Sequence, residues 1–138
     1  MKVKILFFGM LVLGILFVSG CTEQSIFSFT KVTYDKVILE EFSKTEWVPV
    51  LVRLKDNSDI KIEGTKEQRV ALSKQRDEWF KPVIDEVLST LSKKEFELAH
   101  KRFDGFSGKI TKEGFQKLLN NPAVKEIIWE KGPFPHIS

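Results

Sequence analysis

The fold of this chain is decided by residues 102–111, which read RFDGFSGKIT. The pair Asp104-Gly105 is typical of a tight hairpin turn, because Asp and Gly permit positive φ angles. The turn is predicted to join a strand over Phe96–Phe103 to a strand over Phe106–Ile110. The rings of Phe103 and Phe106 flank the turn, and we expect both to pack in the core.

Further elements extend this hairpin in both directions. Residues 47–54 (WVPVLVRL) alternate with the period of two of a β-strand. A long helix begins after Thr65, where Gln68 completes a capping box, and continues to Leu91. Pro82 lies within it and predicts either a kink near residues 79–81 or two consecutive helices. A short helix follows Thr111, and residues 124–130 form the last strand.

This order of strand, helix, strand, strand, helix and strand is the pattern of ferredoxin-like folds. We therefore predict the α+β class and a ferredoxin-like βαββαβ sandwich, with an antiparallel four-stranded sheet and two helices on one face. Asp35 is placed to cap one additional short helix over residues 37–42. This helix would precede the main domain.

The N-terminus has the features of an export signal. Two lysines precede an unbroken apolar run over residues 5–18, and small residues follow it. Residues 18–21 (VSGC) are similar to the prokaryotic lipobox, in which the cysteine is acylated and becomes the new N-terminus. We expect a lipoprotein held by lipid on Cys21 at the extracytoplasmic face of the cell membrane. The alternative is an uncleaved membrane anchor.

These features divide the chain into five segments. They are the signal peptide 1–20, a tether 21–34, a short helix and linker 35–45, the main domain 46–131 and an extended C-terminal tail 132–138.

Composition and motifs exclude several classes of function. The chain has 22 basic and 19 acidic residues, but two lysines lie in the signal, so the remainder is close to neutral. Lys and Glu are interspersed, which argues against nucleic-acid binding. Cys21 is the only cysteine, so an intramolecular disulfide is impossible. His100 and His136 are isolated and no catalytic motif is present, so we predict neither an enzyme nor a metal or other cofactor.

From about Trp47 onward the chain resembles the subtilisin propeptide and peptidase inhibitor family. Three stretches carry the resemblance: WVPVLVRL at 47–54, FDGFSGKIT at 103–111 and NPAVKEII at 121–128. In that family the outer face of the sheet packs against surface helices of a subtilisin-like serine protease. The resemblance implies a free-standing, monomeric inhibitor or intermolecular chaperone of such a protease.

The same resemblance assigns a role to the tail. In the family, the residues after the last strand enter the active-site cleft as an extended strand, so Ser138 would lie nearest the catalytic serine. The residues assigned to the cleft are Phe134, Pro135, His136, Ile137 and Ser138. Proline in the unbound tail restricts its freedom, which reduces the entropic cost of binding.

Both faces of the first strand of the domain are apolar, and two explanations remain open. Leu51, with Trp47 or Trp129, forms a protease-facing patch on the outer side of the sheet. Alternatively, the short helix over residues 35–42 covers that side.

Two other functions are alternatives to protease inhibition. The first is a surface lipoprotein whose ferredoxin-like domain is a general protein-binding module. The second is a small hydrolase, which would require a cluster of polar groups such as a buried Arg or Lys beside an anion pocket. For the acidic residues Glu126 and Glu130, the alternatives are contact with helix N-termini of a partner and exposure to solvent.

Overall fold

The computed structural model describes residues 31–131. Within this range the chain is α+β, with a mixed five-stranded sheet and three helices. The elements in chain order are β1 (Thr33–Tyr34), α1 (Val37–Phe42), β2 (Val48–Leu54), α2 (Lys66–Ser89), β3 (Phe96–Arg102), β4 (Gly105–Ile110), α3 (Lys112–Leu119) and β5 (Val124–Trp129).

The strands lie in the order β1-β5-β2-β4-β3. Antiparallel pairing joins β5 to β2, β2 to β4 and β4 to β3, as the sequence predicts for four strands. The fifth strand, β1, pairs in parallel with β5 and was not predicted. The α+β class is therefore confirmed, while the sheet is larger than the predicted four-stranded antiparallel one.

The added strand comes from the end of the predicted tether. Thr33 and Tyr34 pair with Glu126 and Ile127, and the amide of Asp35 donates to the Ile127 carbonyl at 3.1 Å. The Tyr34 ring meets Phe115 edge-on, with 5.4 Å between centroids. The segment assigned to the tether, residues 21–34, therefore contributes its last two residues to the sheet.

Asp35 has a different role from the predicted helix cap. The residue at the N-cap position of α1 is Lys36, and no side chain caps the helix. The Asp35 carboxylate instead accepts a hydrogen bond from the backbone N–H of Trp129 at 2.9 Å. It therefore ties the N-terminal segment to the end of β5, and the capping prediction is wrong.

One face of β2 forms the centre of the core. Its burial alternates along the strand, with Val48, Val50, Val52 and Leu54 buried and the residues between them half-buried. All three helices add buried residues to the same cluster, and these are Ile38 from α1, Phe80, Ile84 and Val87 from α2, and Phe115 and Leu118 from α3. The helices therefore share the inner face of the sheet.

The long helix α2 is continuous and contains Pro82, so the alternative with two consecutive helices is wrong. Its predicted capping box is confirmed. The Thr65 hydroxyl accepts from the amide of Gln68, and the Gln68 side chain accepts from the amide of Thr65 at 2.8 Å. Thr111 likewise caps α3, as predicted, by accepting from the amide of Gly114.

The hairpin that decides the fold turns one residue earlier than predicted. Arg102 pairs with Gly105, so the turn residues are Phe103 and Asp104. Neither they nor Gly105 has a positive φ. Glycine is required for a different reason: a Cβ at position 105 would lie 1.9 Å from the carbonyl oxygen of Val52. Close approach of β4 to β2, and not turn conformation, explains this glycine.

The two aromatic rings of the hairpin have different environments. Phe106 is fully buried and packs edge-on against Phe96, with ring centroids 5.2 Å apart. Phe103 is 52% exposed, so the prediction that both rings pack in the core is right for Phe106 only. The guanidinium of Arg76 lies over the Phe103 ring, 5.5 Å from its centroid.

The Gly105→Ala variant should lose about 2–3 kcal/mol of unfolding free energy, because β4 must move away from β2 to admit the methyl group. Urea unfolding measures this loss. Ser107→Ala on the same strand is the matched control. It removes a buried hydroxyl that has no hydrogen-bond partner within residues 31–131, so stability should stay equal or rise slightly. Equal stability of Gly105→Ala and the parent would contradict the close approach.

Asp35→Ala should lower the unfolding free energy by about 1 kcal/mol, since the Trp129 amide loses its acceptor. Asp35→Asn keeps an acceptor oxygen and should restore most of this loss. Amide hydrogen exchange at Trp129 provides a local readout, and it should accelerate in the Ala variant. Glu46→Ala, which changes an exposed carboxylate elsewhere, is the control. If Asp35→Ala and Glu46→Ala have the same unfolding free energy, the Asp35 contact does not contribute to stability.

Candidate functional site

The candidate site is the outer face of the sheet, which is the face opposite the helices. Residues paired across neighbouring strands share a face, so the register defines it. It carries Pro49, Leu51 and Arg53 of β2, Ser107 and Lys109 of β4, Glu126 and Ile128 of β5, and Glu97, His100 and Arg102 of β3. Among residues 31–131, no helix covers this face.

An apolar strip runs along the middle of the outer face. It consists of Pro49, Leu51 and Ile128, with Leu51 and Ile128 directly opposite each other on β2 and β5. All three side chains are half-buried. They are packed against their sheet neighbours and still accessible, which is the condition for burial against a second protein.

Charged groups border the apolar strip at the hairpin end. Arg53 donates from Nε to Asp104 Oδ2 at 2.9 Å and from Nη1 to Glu126 Oε1 at 3.0 Å. The hydrogen bond that Arg53 donates to Asp104, followed by the charge of Asp104, raises the pKa of Arg53 above its usual value. This pair of contacts holds the hairpin turn against β2 and β5, and it engages both carboxylates.

Glu130 is a carboxylate with fewer partners, and its backbone pairs with Pro49 at the other end of β2. Its Oε1 lies 3.8 Å from Arg102 Nη2, while its Oε2 is buried and has no hydrogen-bond partner among the described residues. The Ser107 hydroxyl on the same face is also buried and without a partner there. Glu126 is therefore engaged within the sheet, whereas Glu130 retains capacity to accept a hydrogen bond.

The structure places the predicted sheet residues on two faces. Leu51 lies on the outer face, and Trp47 is half-buried just before β2, on the same side by the alternation of the strand. Trp129 pairs with Val50 and packs against the core, so its assignment to the protease-facing patch is wrong. Ile128 takes that position. The alternation of β5 is the sequence signal that could have identified Ile128, because its neighbour Ile127 is the buried residue.

The contacts of helix α1 show which face of the sheet it covers. Ile38 of α1 is fully buried in the core, and Phe42 packs against Phe115 of α3 with 5.6 Å between ring centroids. The short helix therefore lies with the other helices on the inner face. The alternative in which it shields the outer face is wrong.

Several predicted site residues lie outside the described range. These are the lipidation residue Cys21 and the cleft-binding residues Phe134, Pro135, His136, Ile137 and Ser138. Within residues 31–131, no group of three or more His, Cys, Asp or Glu side chains could hold a metal ion. In the same range, none of the helices combines the length and apolar character needed to cross a membrane.

Comparisons with family models, with curated proteins and with solved structures found no match to this chain.

Proposed function

We propose that this protein is an exported, lipid-anchored inhibitor or intermolecular chaperone of subtilisin-like serine proteases. The observation that carries the proposal is the outer face, where Leu51 and Ile128 form an accessible apolar strip while all three helices pack on the other side. A sheet with one free, partly apolar face has the shape required to pack against surface helices of a second protein.

The proposed fold of the binding unit is a ferredoxin-like core. Its support is the strand order β5-β2-β4-β3, with antiparallel pairing throughout and helices α2 and α3 on one face. In this interpretation β1 and α1 are additions at the β5 side. They extend the sheet by one strand and leave Leu51 of β2 and Ile128 of β5 partly accessible on the outer face.

The position from which the tail starts supports the inhibitory mechanism. The amide of Glu130 donates to the Pro49 carbonyl at 3.1 Å, and the amide of Trp129 donates to Asp35. β5 also has strands on both sides. Trp129 and Glu130, which shortly precede the tail, are therefore held in place at the end of β5. A fixed starting point lowers the entropic cost of directing residues 134–138 into a protease cleft.

Recognition of a cleft by such a tail would use main-chain hydrogen bonds to the edge strands of the enzyme, with alternate side chains filling pockets. Inhibition would be non-covalent, and the inhibitor would act as a monomer. Glu130 is the better placed of the two candidate acidic contacts, because Glu126 is engaged by Arg53. The Glu130 side chain is 32% exposed, and this part of it would lie near the N-terminus of a protease helix.

Lipid on Cys21 would place this activity at the extracytoplasmic face of the cell membrane. The proposed tether would then separate the domain from the membrane. The second candidate function, a general protein-binding module without protease inhibition, rests on the same apolar strip. It differs in giving the tail no role.

Leu51→Lys should weaken inhibition of a subtilisin-like protease at least roughly tenfold, because a charge enters the centre of the proposed contact. The measurement is the inhibition constant of the full chain in non-ionic detergent against several such enzymes. Leu39→Lys is the matched control, since Leu39 is 46% exposed on α1 and lies away from the outer face. Equal loss in both variants would contradict the assignment of the contact to this face.

Deleting residues 134–138 should also weaken inhibition at least about tenfold, while the urea unfolding midpoint stays unchanged. The reason is that the cleft contact is lost while the core residues within 31–131 are retained. Retention of full potency would contradict the tail mechanism. Binding without inhibition, sensitive to Leu51→Lys and insensitive to the deletion, would favour the general protein-binding module. No binding, inhibition or faster refolding across several enzymes would contradict the proposed function as a whole.

A further inference from the structure

We propose that a cavity beneath the Phe103-Asp104 turn binds an oxyanion, either a carboxylate or a phosphate group, through Arg76. The cavity has a volume of about 320 Å³ and lies between α2, the end of β2 and the turn. This is at the lower end of the range for small-molecule sites. The residues that matter for its chemistry are Arg76, Arg53, Lys125, Asp56 and Phe103.

Arg76 has hydrogen-bonding capacity that the protein does not use. Its side chain is only 24% exposed, and its nearest carboxylate oxygen, Asp56 Oδ2, is 3.9 Å from Nη1. Its Nε–H is buried and has no partner among the described residues. A guanidinium presents five N–H donors, and a buried donor without an acceptor is costly. Arg76 lines the cavity, so an oxyanion there would meet the terminal N–H groups of the guanidinium.

The neighbouring charges leave Arg76 available to a ligand. Arg53 is already bonded to Asp104 and Glu126. Asp56 is held by Ser58, which donates to Asp56 Oδ1 from its hydroxyl at 2.6 Å and from its amide at 3.1 Å. The hydroxyl contact is the main reason that the pKa of Asp56 lies below its usual value. Asp56 therefore stays charged, and it competes with a ligand through an ion pair of 3.9 Å that is too long for a hydrogen bond.

The overall charge of the lining favours an anion. Three cations line the cavity, namely Arg53, Arg76 and Lys125, against the two carboxylates Asp56 and Asp104. Arginine binds carboxylate and phosphate groups through two parallel N–H bonds, and the two terminal nitrogens of Arg76 would supply such a pair.

The Phe103 ring favours an anionic group that is attached to an apolar body. Its ring forms part of the wall and is half-exposed, so it offers an apolar surface beside Arg76. A small aromatic acid would gain both the ion pair and contact with this ring. Inorganic phosphate would gain the ion pair alone. We assign only binding to this cavity. Both carboxylates of the lining accept hydrogen bonds from the protein and are therefore not free to act as bases. It does not depend on protease inhibition.

The direct test follows the Nε–H resonance of Arg76 by ¹⁵N NMR in the full chain in non-ionic detergent. Titration with sodium phosphate or sodium benzoate should shift this resonance saturably. Sodium chloride at matched ionic strength should not. Benzoate should bind more tightly than acetate if the ring contributes. A response to phosphate and benzoate no different from that to chloride would overturn the proposal.

Three variants test which residues form the site. Arg76→Lys keeps the charge but loses the planar fork, so affinity should fall roughly tenfold or more. Asp56→Asn removes the competing carboxylate and should raise affinity about severalfold. Arg69→Lys, on the exposed first part of α2, should change nothing. Equal affinity of Arg76→Lys and Arg69→Lys would overturn the assignment. If Arg76→Lys fails to fold, the resonance of the parent protein still decides the outcome.

Discussion

Burial of one face of β2 is the constraint on which the rest of this structure depends. The four even-numbered residues from Val48 to Leu54 are almost completely inaccessible, and β2 pairs with both β4 and β5. Because side chains alternate along a strand, directing these four inward directs Pro49, Leu51 and Arg53 outward. The apolar residues of the helices can be buried only where the inward residues are, so all three helices collect on that face. One alternation therefore decides where the core lies and which surface remains for a partner.

Much of the fold was predictable because its signals are local. Apolar periodicity and the capping box at Thr65 located the helices and the four long strands to within a few residues. The two-residue strand β1 carries no such periodicity, and only its hydrogen bonds to distant β5 define it. Asp35 shows the same limit. A carboxylate ahead of a helix is a good local cap, but here the distant Trp129 amide competes for it successfully. Both β1 and the role of Asp35 depend on contacts between residues far apart in the chain, and local sequence patterns do not indicate such contacts.

The candidate site was predictable to the extent that it follows from the alternation of β2. Leu51 was placed correctly for this reason, whereas Trp129 was placed on the wrong face. A step of one residue along a strand reverses every side chain, and β5 contains an irregularity in its pairing with β2 at Arg53 and Leu54. Aromatic character alone could not reveal that Ile128 is the outward residue. Arg76 was beyond prediction, because its unused Nε–H depends on how α2 packs beside the turn.

The Phe103-Asp104 turn connects the two candidate sites, and its construction argues that they act independently. Close packing of Gly105 against β2 fixes the hairpin, so Phe103 is not needed to fill the core and its ring is available to Arg76. Asp104 faces the outer sheet through Arg53, and its backbone carbonyl accepts from the amide of Leu54 at 2.9 Å. The turn is therefore tied to β2 by one backbone and one side-chain contact. Coupling between the two sites would require a second arrangement of the turn, and both contacts oppose one.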